Sequence, residues 1–322
     1  MRIETELTRI FGIGVPVMLA PMAGVSGGAL AAAVTAAGGL GLIGGGYGDR
    51  AWLEREIAAA GDARIGIGFI TWSLARKPEL LDVALDRAPE AIFLSFGDLS
   101  AFAGRIARSS SRLVAQVQTL DQARRALDAG AAILVAQGTE AGGHGSTRAT
   151  LPFVPAVVDM AGSIPVVAAG GIADGRGLAA ALMLGAAGAL CGTAFFTCPE
   201  ALSHANARRA ALAGSGDDTV RSSVFDVARR LDWPENWTMR TLRNAFLDRW
   251  EGDLAGLKAA AESEGARYGA ASAAGDMETA ATIVGEAIDL VKEPRPAGEV
   301  VAAMAREAAA LLARAPDFLT RE

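Results

Sequence analysis

The chain is poor in the residues on which most enzymes and binding proteins depend. Two cysteines among 322 residues exclude a disulfide framework and fit a reducing compartment. Only two histidines are present, His144 and His204, and with Cys191 and Cys198 they do not make a zinc-site spacing. Cys198 has no histidine near it in sequence and reads as an inert buried thiol rather than a nucleophile. There is no Gly-Lys-Ser/Thr phosphate loop and no Gly-x-Ser-x-Gly nucleophile elbow. No lysine stands between Lys77 and Lys258, so a Schiff-base lysine is unavailable over that stretch. Positive charge is in deficit, with 30 Lys and Arg against 36 Asp and Glu for a net charge of −6. Without a basic cluster, neither nucleic acid nor an anionic membrane surface is an expected partner. Met1–Arg9 carries Glu4, Glu6 and Arg9 and lacks the basic cap and apolar core of a signal peptide. Charge is absent from two stretches, Ile10 to Gly48 and Gly177 to Pro199, each longer than the ~20 residues that span a bilayer. Pro16, Pro21 and many glycines break the first, and the second is largely Ala and Gly, so neither reads as a membrane span. The expectation is a cytoplasmic protein without membrane partners.

What the chain has is apolar bulk and glycine. Hydrophobic residues make 51% and charged residues 20%, which supplies a core and excludes disorder. Between residues 15 and 193, short apolar runs alternate with Ala-, Leu-, Arg- and Glu-rich stretches of helical length. The runs are Val15–Leu19, Leu40–Ile43, Ile65–Phe69, Ala91–Phe96, Leu113–Val117, Ala132–Ala136, Pro165–Ala168 and Ala189–Thr193. Helices are expected to begin near Ser26, Arg50, Lys77, Asp98, Leu120, Pro152 and Asp174, with Asp98 and Asp174 as N-caps. Gly38, Gly61, Gly130 and Gly185 stand where left-handed C-terminal caps are needed. Strands apolar on both faces and alternating with helices mean a parallel sheet. Eight such units predict a closed (β/α)8 TIM barrel, with a doubly wound open sheet as the alternative. After residue 200 charges return and no further strand is evident. The expected organisation is a barrel over 1–203, a small helical lid over 204–268, and C-terminal helices over 269–322. Two of these are amphipathic, near Met277–Val291 and Ala297–Ala313, one serving as the eighth outer helix.

Four glycine-rich stretches fall at strand ends. Ala169-Gly170-Gly171-Ile172-Ala173-Asp174-Gly175-Arg176-Gly177 follows the seventh run and opens a helix, and Gly192-Thr193 ends the eighth. Barrels of this kind bind phosphate at those two places, on backbone N–H groups. Gln137-Gly138-Thr139-Glu140-Ala141-Gly142-Gly143-His144-Gly145 follows the sixth run. His144 has no neighbouring bulk to bury it there and reads as a general base; His204, in Ser-His-Ala-Asn, reads as a surface residue. Ala20-Pro21-Met22-Ala23-Gly24 follows the first run, and Gln116 and Gln118 share one strand face at the same mouth, either able to donate to a heteroaromatic ring. Gly39-Leu40-Gly41-Leu42-Ile43-Gly44 has dinucleotide-binding spacing but contains its strand instead of following one, and is discounted.

Taken together, Pro21 to Gly24, Gly138 to His144, Gly170 to Gly177 and Gly192-Thr193 resemble the nitronate monooxygenase family, formerly the 2-nitropropane dioxygenases. The resemblance covers at least residues 10 to 200. It implies a (β/α)8 barrel holding non-covalent FMN. By resemblance, Ala169, Gly170, Gly171, Gly192 and Thr193 hold the FMN phosphate; Pro21, Met22, Ala23, Gln116 and Gly143 line the isoalloxazine and ribityl; and His144 is the catalytic histidine. The implied reaction is oxidation of an alkyl nitronate, and of nitroalkanes by extension, by O2 to a carbonyl compound and nitrite. Trp233, Trp237 and Phe246 would form an apolar lid. Two departures bear on the substrate more than on the flavin. Many members carry Asn at the end of the third strand, where this chain reads Gly66-Ile67-Gly68-Phe69-Ile70-Thr71, and some carry Lys where Gln116 or Gln118 stands. Alternatives are an FMN-dependent NAD(P)H reductase of the same motif set, acting on enoyl-acyl carrier protein or quinone, and a non-redox phosphate-binding lyase or isomerase. Partners are a small nitronate and O2, with a homodimer left open.

Overall fold

The computed structural model describes residues 3–318. Eleven strands lie among them: β1 Val17–Leu19, β2 Leu42–Gly44, β3 Gly66–Ile70, β4 Ala91–Ser95, β5 Arg112–Val117, β6 Ile133–Gln137, β7 Gly143–Gly145, β8 Val166–Ala169, β9 Gly188–Cys191, β10 Thr219–Ser222 and β11 Thr238–Leu242. Eight are parallel in the order β1-β9-β8-β6-β5-β4-β3-β2, and a parallel bridge from Met18 to Leu40 joins the two ends into a barrel. Each of the eight apolar runs thus contributes one barrel strand.

Successive side chains alternate across the barrel wall. Ile92, Leu94, Leu113, Ala115 and Val117 face the outer helices, while Met18, Leu42, Phe93, Val114, Val135, Val167 and Leu190 fill the interior. Leu7, Phe11 and Ile13, in and after the helix Glu6–Phe11, join that interior cluster. The interior phase then decides what reaches the C-terminal end of the barrel. Counting on from Phe93, Val114, Val135 and Val167 by two gives Ser95, Gln116, Gln137 and Ala169, the last inward positions of their strands. On β2 the last inward position is Gly44, and on β3 Gly68 stands inward one step before Ile70. A Cβ at Gly44 would lie 2.5 Å from Met22 O, and one at Gly68 would lie 2.4 Å from Pro21 Cβ. These glycines let the Ala20–Ala23 turn fold over the barrel mouth.

The outer layer is Gly28–Ala36, Arg50–Ala59, Leu80–Leu85, Ser100–Ala107, Leu120–Asp128, Thr150–Ala161, Gly175–Met183 and Ala297–Ala313. Asp174 caps its helix as expected, accepting from Arg176 N and Gly177 N. Asp98 accepts from Ser100 N, one residue outside the assigned cap. Gly38, Gly61, Gly130 and Gly185 all have positive φ. Ala297–Ala313 packs against Gly175–Met183 and Gly28–Ala36 and supplies the eighth outer helix.

The stretch after residue 200 corrects the expectation in two ways. It is not purely helical: β10 and β11 pair antiparallel, and β11 pairs with β7, in the order β10-β11-β7. Their sequences, Thr-Val-Arg-Ser and Thr-Met-Arg-Thr-Leu, carry buried or half-buried arginines where an apolar pattern was sought. Nor is Met277–Val291 an α-helix; only Glu286–Leu290 is wound, as a 3-10 turn. The segment ahead of it donates and accepts outside itself instead, with Leu242 N bonded to Thr282 O and Glu286 N to Glu140 O. Val224, Phe225, Met239, Phe246, Leu247 and Leu257 form a separate small core here.

Candidate active site

The C-terminal ends of the barrel strands open into a cavity enclosing about 1190 Å³, its mouth included. Every residue that the resemblance assigns to the flavin or to catalysis lines it: Pro21, Met22, Ala23, Gln116, Gly143, His144, Ala169, Gly170, Gly171, Gly192 and Thr193. Five segments distant in sequence are therefore brought to one cavity.

His144 sits on β7, opposite Met239 of β11. It is 8% exposed, contrary to the expectation that its glycine neighbours would leave it open. The covering groups come from elsewhere. The Trp233 indole stacks on the imidazole with centroids 3.3 Å apart and planes 7° apart, and Phe96 meets it edge-on at 6.2 Å. Its Nε2 lies 3.0 Å from both carboxylate oxygens of Asp226, itself buried on the helix Val224–Ala228. A carboxylate at Nε2 holds the proton there and leaves Nδ1 as the basic nitrogen. Burial lowers the His144 pKa below its ordinary value; Asp226 opposes that shift, while the charges of Arg229 and Arg221 add to it.

Behind the histidine three glutamines form a chain. Gln137 Nε2 donates to His144 O at 3.0 Å, and Gln137 Oε1 accepts from Gln116 Nε2 at 3.2 Å and Gln118 Nε2 at 2.9 Å. Gln116 faces the cavity, whereas Gln118 does not: its Oε1 accepts from Trp237 Nε1. Of the three aromatics expected to form a lid, only Trp233 borders the cavity. Trp237 is held behind it, and Phe246 packs against Phe225 and Tyr268 in the small core.

The opposite end of the cavity is lined by backbone. Gly170 and Gly171 have φ of 100° and 72°. Thr150 Oγ1, 3.1 Å from Gly170 O, also donates to Glu140, whose carboxylate accepts Thr150 N as well. Among the described residues, the N–H groups of Gly171, Gly192 and Thr193 make no backbone hydrogen bond. These are donors without acceptors at a place where the chain turns into a helix.

Sequence reasoning missed the two arginines that hold this end in shape. Arg221 on β10 donates to the carbonyls of Thr139 (3.0 Å), Ala141 (3.1 Å) and Thr238 (2.6 Å). Arg240 on β11 donates to Thr139 O at 2.9 Å and pairs with Glu286 at 2.8 Å. Burial, then the charge of Arg240, push the Arg221 pKa down to about 10. Asp226 and Arg229 were missed as well, because they lie in a segment with no motif. Outside the site, His204 is exposed and caps Ala205–Ala213 through Nδ1, and Cys198 is buried with its thiol pushed up to about 12.

Comparison with known proteins agrees with this architecture. The family model described as nitronate monooxygenase matches residues 4–64 and 69–307. The nitronate monooxygenase of Neurospora crassa is 32% identical over 91% of this chain and 89% of its own length. Among solved structures, FabK from Thermotoga maritima has a TM-score of 0.87 at 27% identity, covering 98% of this chain and all of its own. Nitroalkane oxidase from Streptomyces ansochromogenes has a TM-score of 0.78 at 28% identity, covering 95% of this chain and 99% of its own.

Proposed function

This chain belongs to the nitronate monooxygenase family, and from that premise we propose that it oxidises alkyl nitronates with O2 to a carbonyl compound and nitrite, using FMN. It is a flavin-dependent oxidoreductase, and its relatives support action on nitro compounds. The observation that carries the finer reading is the buried His144–Asp226 pair facing the same cavity as a glycine-built backbone cradle.

The residues present fit FMN. The uncommitted N–H groups of Gly171, Gly192 and Thr193 are donors of the kind a phosphate accepts from. A Cβ at Gly192 would fall 3.2 Å from Met22 Sδ, a tight contact that would push the methionine aside. Ala169, Gly170, Gly171, Gly192 and Thr193 would hold the phosphate, and Pro21, Met22, Ala23, Gln116 and Gly143 would line the ring and ribityl. When bound, the flavin supplies the redox chemistry, accepting electrons from the substrate and returning them to O2.

The protein's own part is binding, proton handling and exclusion of water. His144, kept neutral by burial and oriented by Asp226, takes the α-proton of a neutral nitroalkane at Nδ1 or orients a nitronate that has already lost it. Tyr47, Phe96 and Trp233 wall the reacting end. The reading includes a cytoplasmic location, supported by the scarcity of cysteine; among the described residues no helix is long and apolar enough to cross a membrane.

The test is an anaerobic visible spectrum of the FMN-loaded protein, before and after an alkyl nitronate is added. Bleaching by nitronate, and not by NADH or NADPH, is expected. Bleaching by a pyridine nucleotide alone moves the assignment to a reductase. Failure to take up FMN overturns the cofactor.

A further inference from the structure

We propose that Arg229 is the oxyanion-binding residue of this cavity, receiving the two oxygens of the substrate's nitro group, so that substrate is held as the anionic nitronate. The identity of the anion rests on the reading above; the existence of the anion site does not.

Two charged side chains of opposite sign line the cavity beside His144: Glu140 and Arg229. Glu140 is committed to Thr150. Arg229 is not committed in the same way. Its guanidinium carbon lies 5.3 Å from the centroid of the Tyr47 ring, it makes a minor hydrogen bond to the Tyr47 side chain, and Nη1 is 3.9 Å from Met239 Sδ. An aromatic face and a thioether are weak partners for a half-buried cation. Among the described residues no carboxylate comes within 4.0 Å of it. Arg221 and Arg240, on neighbouring elements, spend their donors on backbone carbonyls and Glu286. A guanidinium has five N–H donors, so the neutral partners of Arg229 leave some of them, and the charge, open to an anion entering the cavity.

The geometry selects the class of anion. A guanidinium presents parallel N–H donors in a planar fork, matched to two oxygens on one planar centre. A nitronate carries its charge on such a pair, as do nitrate and carboxylates. Arg229 follows Val224–Ala228, the helix that carries Asp226 to His144. One short turn thus sets the histidine's partner and the cation on the same wall. The positive charge also acts on the imidazole in the direction that keeps it unprotonated.

The experiment titrates the FMN-loaded protein with nitrate, an unreactive planar oxyanion. Tryptophan fluorescence is the readout, because Trp233 Nε1 donates to the hydroxyl of the Tyr47 that Arg229 covers. Saturable binding, competitive with nitronate, is expected. Arg229→Gln should weaken nitrate binding and raise KM for nitronate about 10-fold or more, the worth of one charge-assisted pair, with Arg229→Lys intermediate. Absence of nitrate binding by the native protein overturns the proposal, whether or not either variant folds. So does an Arg229→Gln protein that keeps the native nitrate affinity. Loss of NADP⁺ binding with nitrate binding intact would assign Arg229 to a nucleotide phosphate and likewise overturn it. If nitronate is not oxidised but nitrate still binds through Arg229, the anion site stands and only the substrate assignment falls.

Discussion

His144 is pulled in opposite directions by its surroundings, and the balance fixes how it works. Burial under Trp233 and Phe96 disfavours the imidazolium and is the largest influence on its pKa; Asp226 favours it. Replacing Asp226 by Asn removes the favouring charge, so the pKa falls further. A rate that needs neutral His144 rises as pH climbs through that pKa, so the acid limb of kcat/KM for a neutral nitroalkane should move to lower pH. The plateau should drop about 10–100-fold, because the ring loses its anchor. A preformed nitronate, with no proton to remove, should suffer less; equal losses on both substrates would deny His144 a role as base. His144→Asn should keep its flavin yet slow turnover of the nitroalkane by about 10²–10⁴. Unchanged turnover would take the residue out of the mechanism. At this scale His144 was legible as one of two histidines, set among glycines at a strand end. Its burial was not, since Asp226 stands 82 residues away and nothing local marks it.

The Gln137–Gly145 segment shows how an element without side-chain bulk is held. Glycines there let the backbone approach a ligand, but they leave carbonyls to be satisfied and no side chains to pack. The half-buried fork of Arg221 meets that need, and its pKa of about 10 still leaves it charged at neutral pH. Arg221→Met should cost about 2 kcal/mol, since three half-buried carbonyls lose a charged donor at once, and FMN affinity should fall with it. Lys, with one ammonium, should not restore either property. A thermal melt and a flavin titration check both, and native values for Arg221→Met would remove the staple from the account. The same arginine explains why β10 and β11 escaped a sequence reading. The eight barrel strands announce themselves because both faces are apolar; β7, β10 and β11 pair through Gly-His-Gly and arginine-bearing stretches. Met277–Val291 failed the other way. Its apolar spacing is helical, but Gly285 is packed so closely on Glu140 that a Cβ there would lie 2.5 Å from the Glu140 carbonyl oxygen.

At the scale of the whole molecule, the cavity is shared between two bodies of packing. The barrel and its outer helices, closed by Ala297–Ala313, were readable from the eight-fold rhythm; the way residues after 203 fold back over the mouth was not. Gly170, Gly171 and Gly192 belong to the barrel ends, whereas Arg229, Trp233, Met239 and Ile283 come from the later segment, whose core around Phe225 and Phe246 is separate. A ligand touching both couples their stabilities. FMN at 100 times its Kd should add about 2.7 kcal/mol to unfolding. Three of the five tryptophans, Trp233, Trp237 and Trp250, lie in the later segment, so fluorescence reports on it while far-ultraviolet circular dichroism is weighted to the barrel. Without FMN the fluorescence transition should come at the lower temperature; with FMN the two should rise and merge. Merged transitions in the apoprotein, with no upward shift on adding FMN, would mean that the mouth is already welded shut by protein contacts and that the ligand does not bridge the two cores.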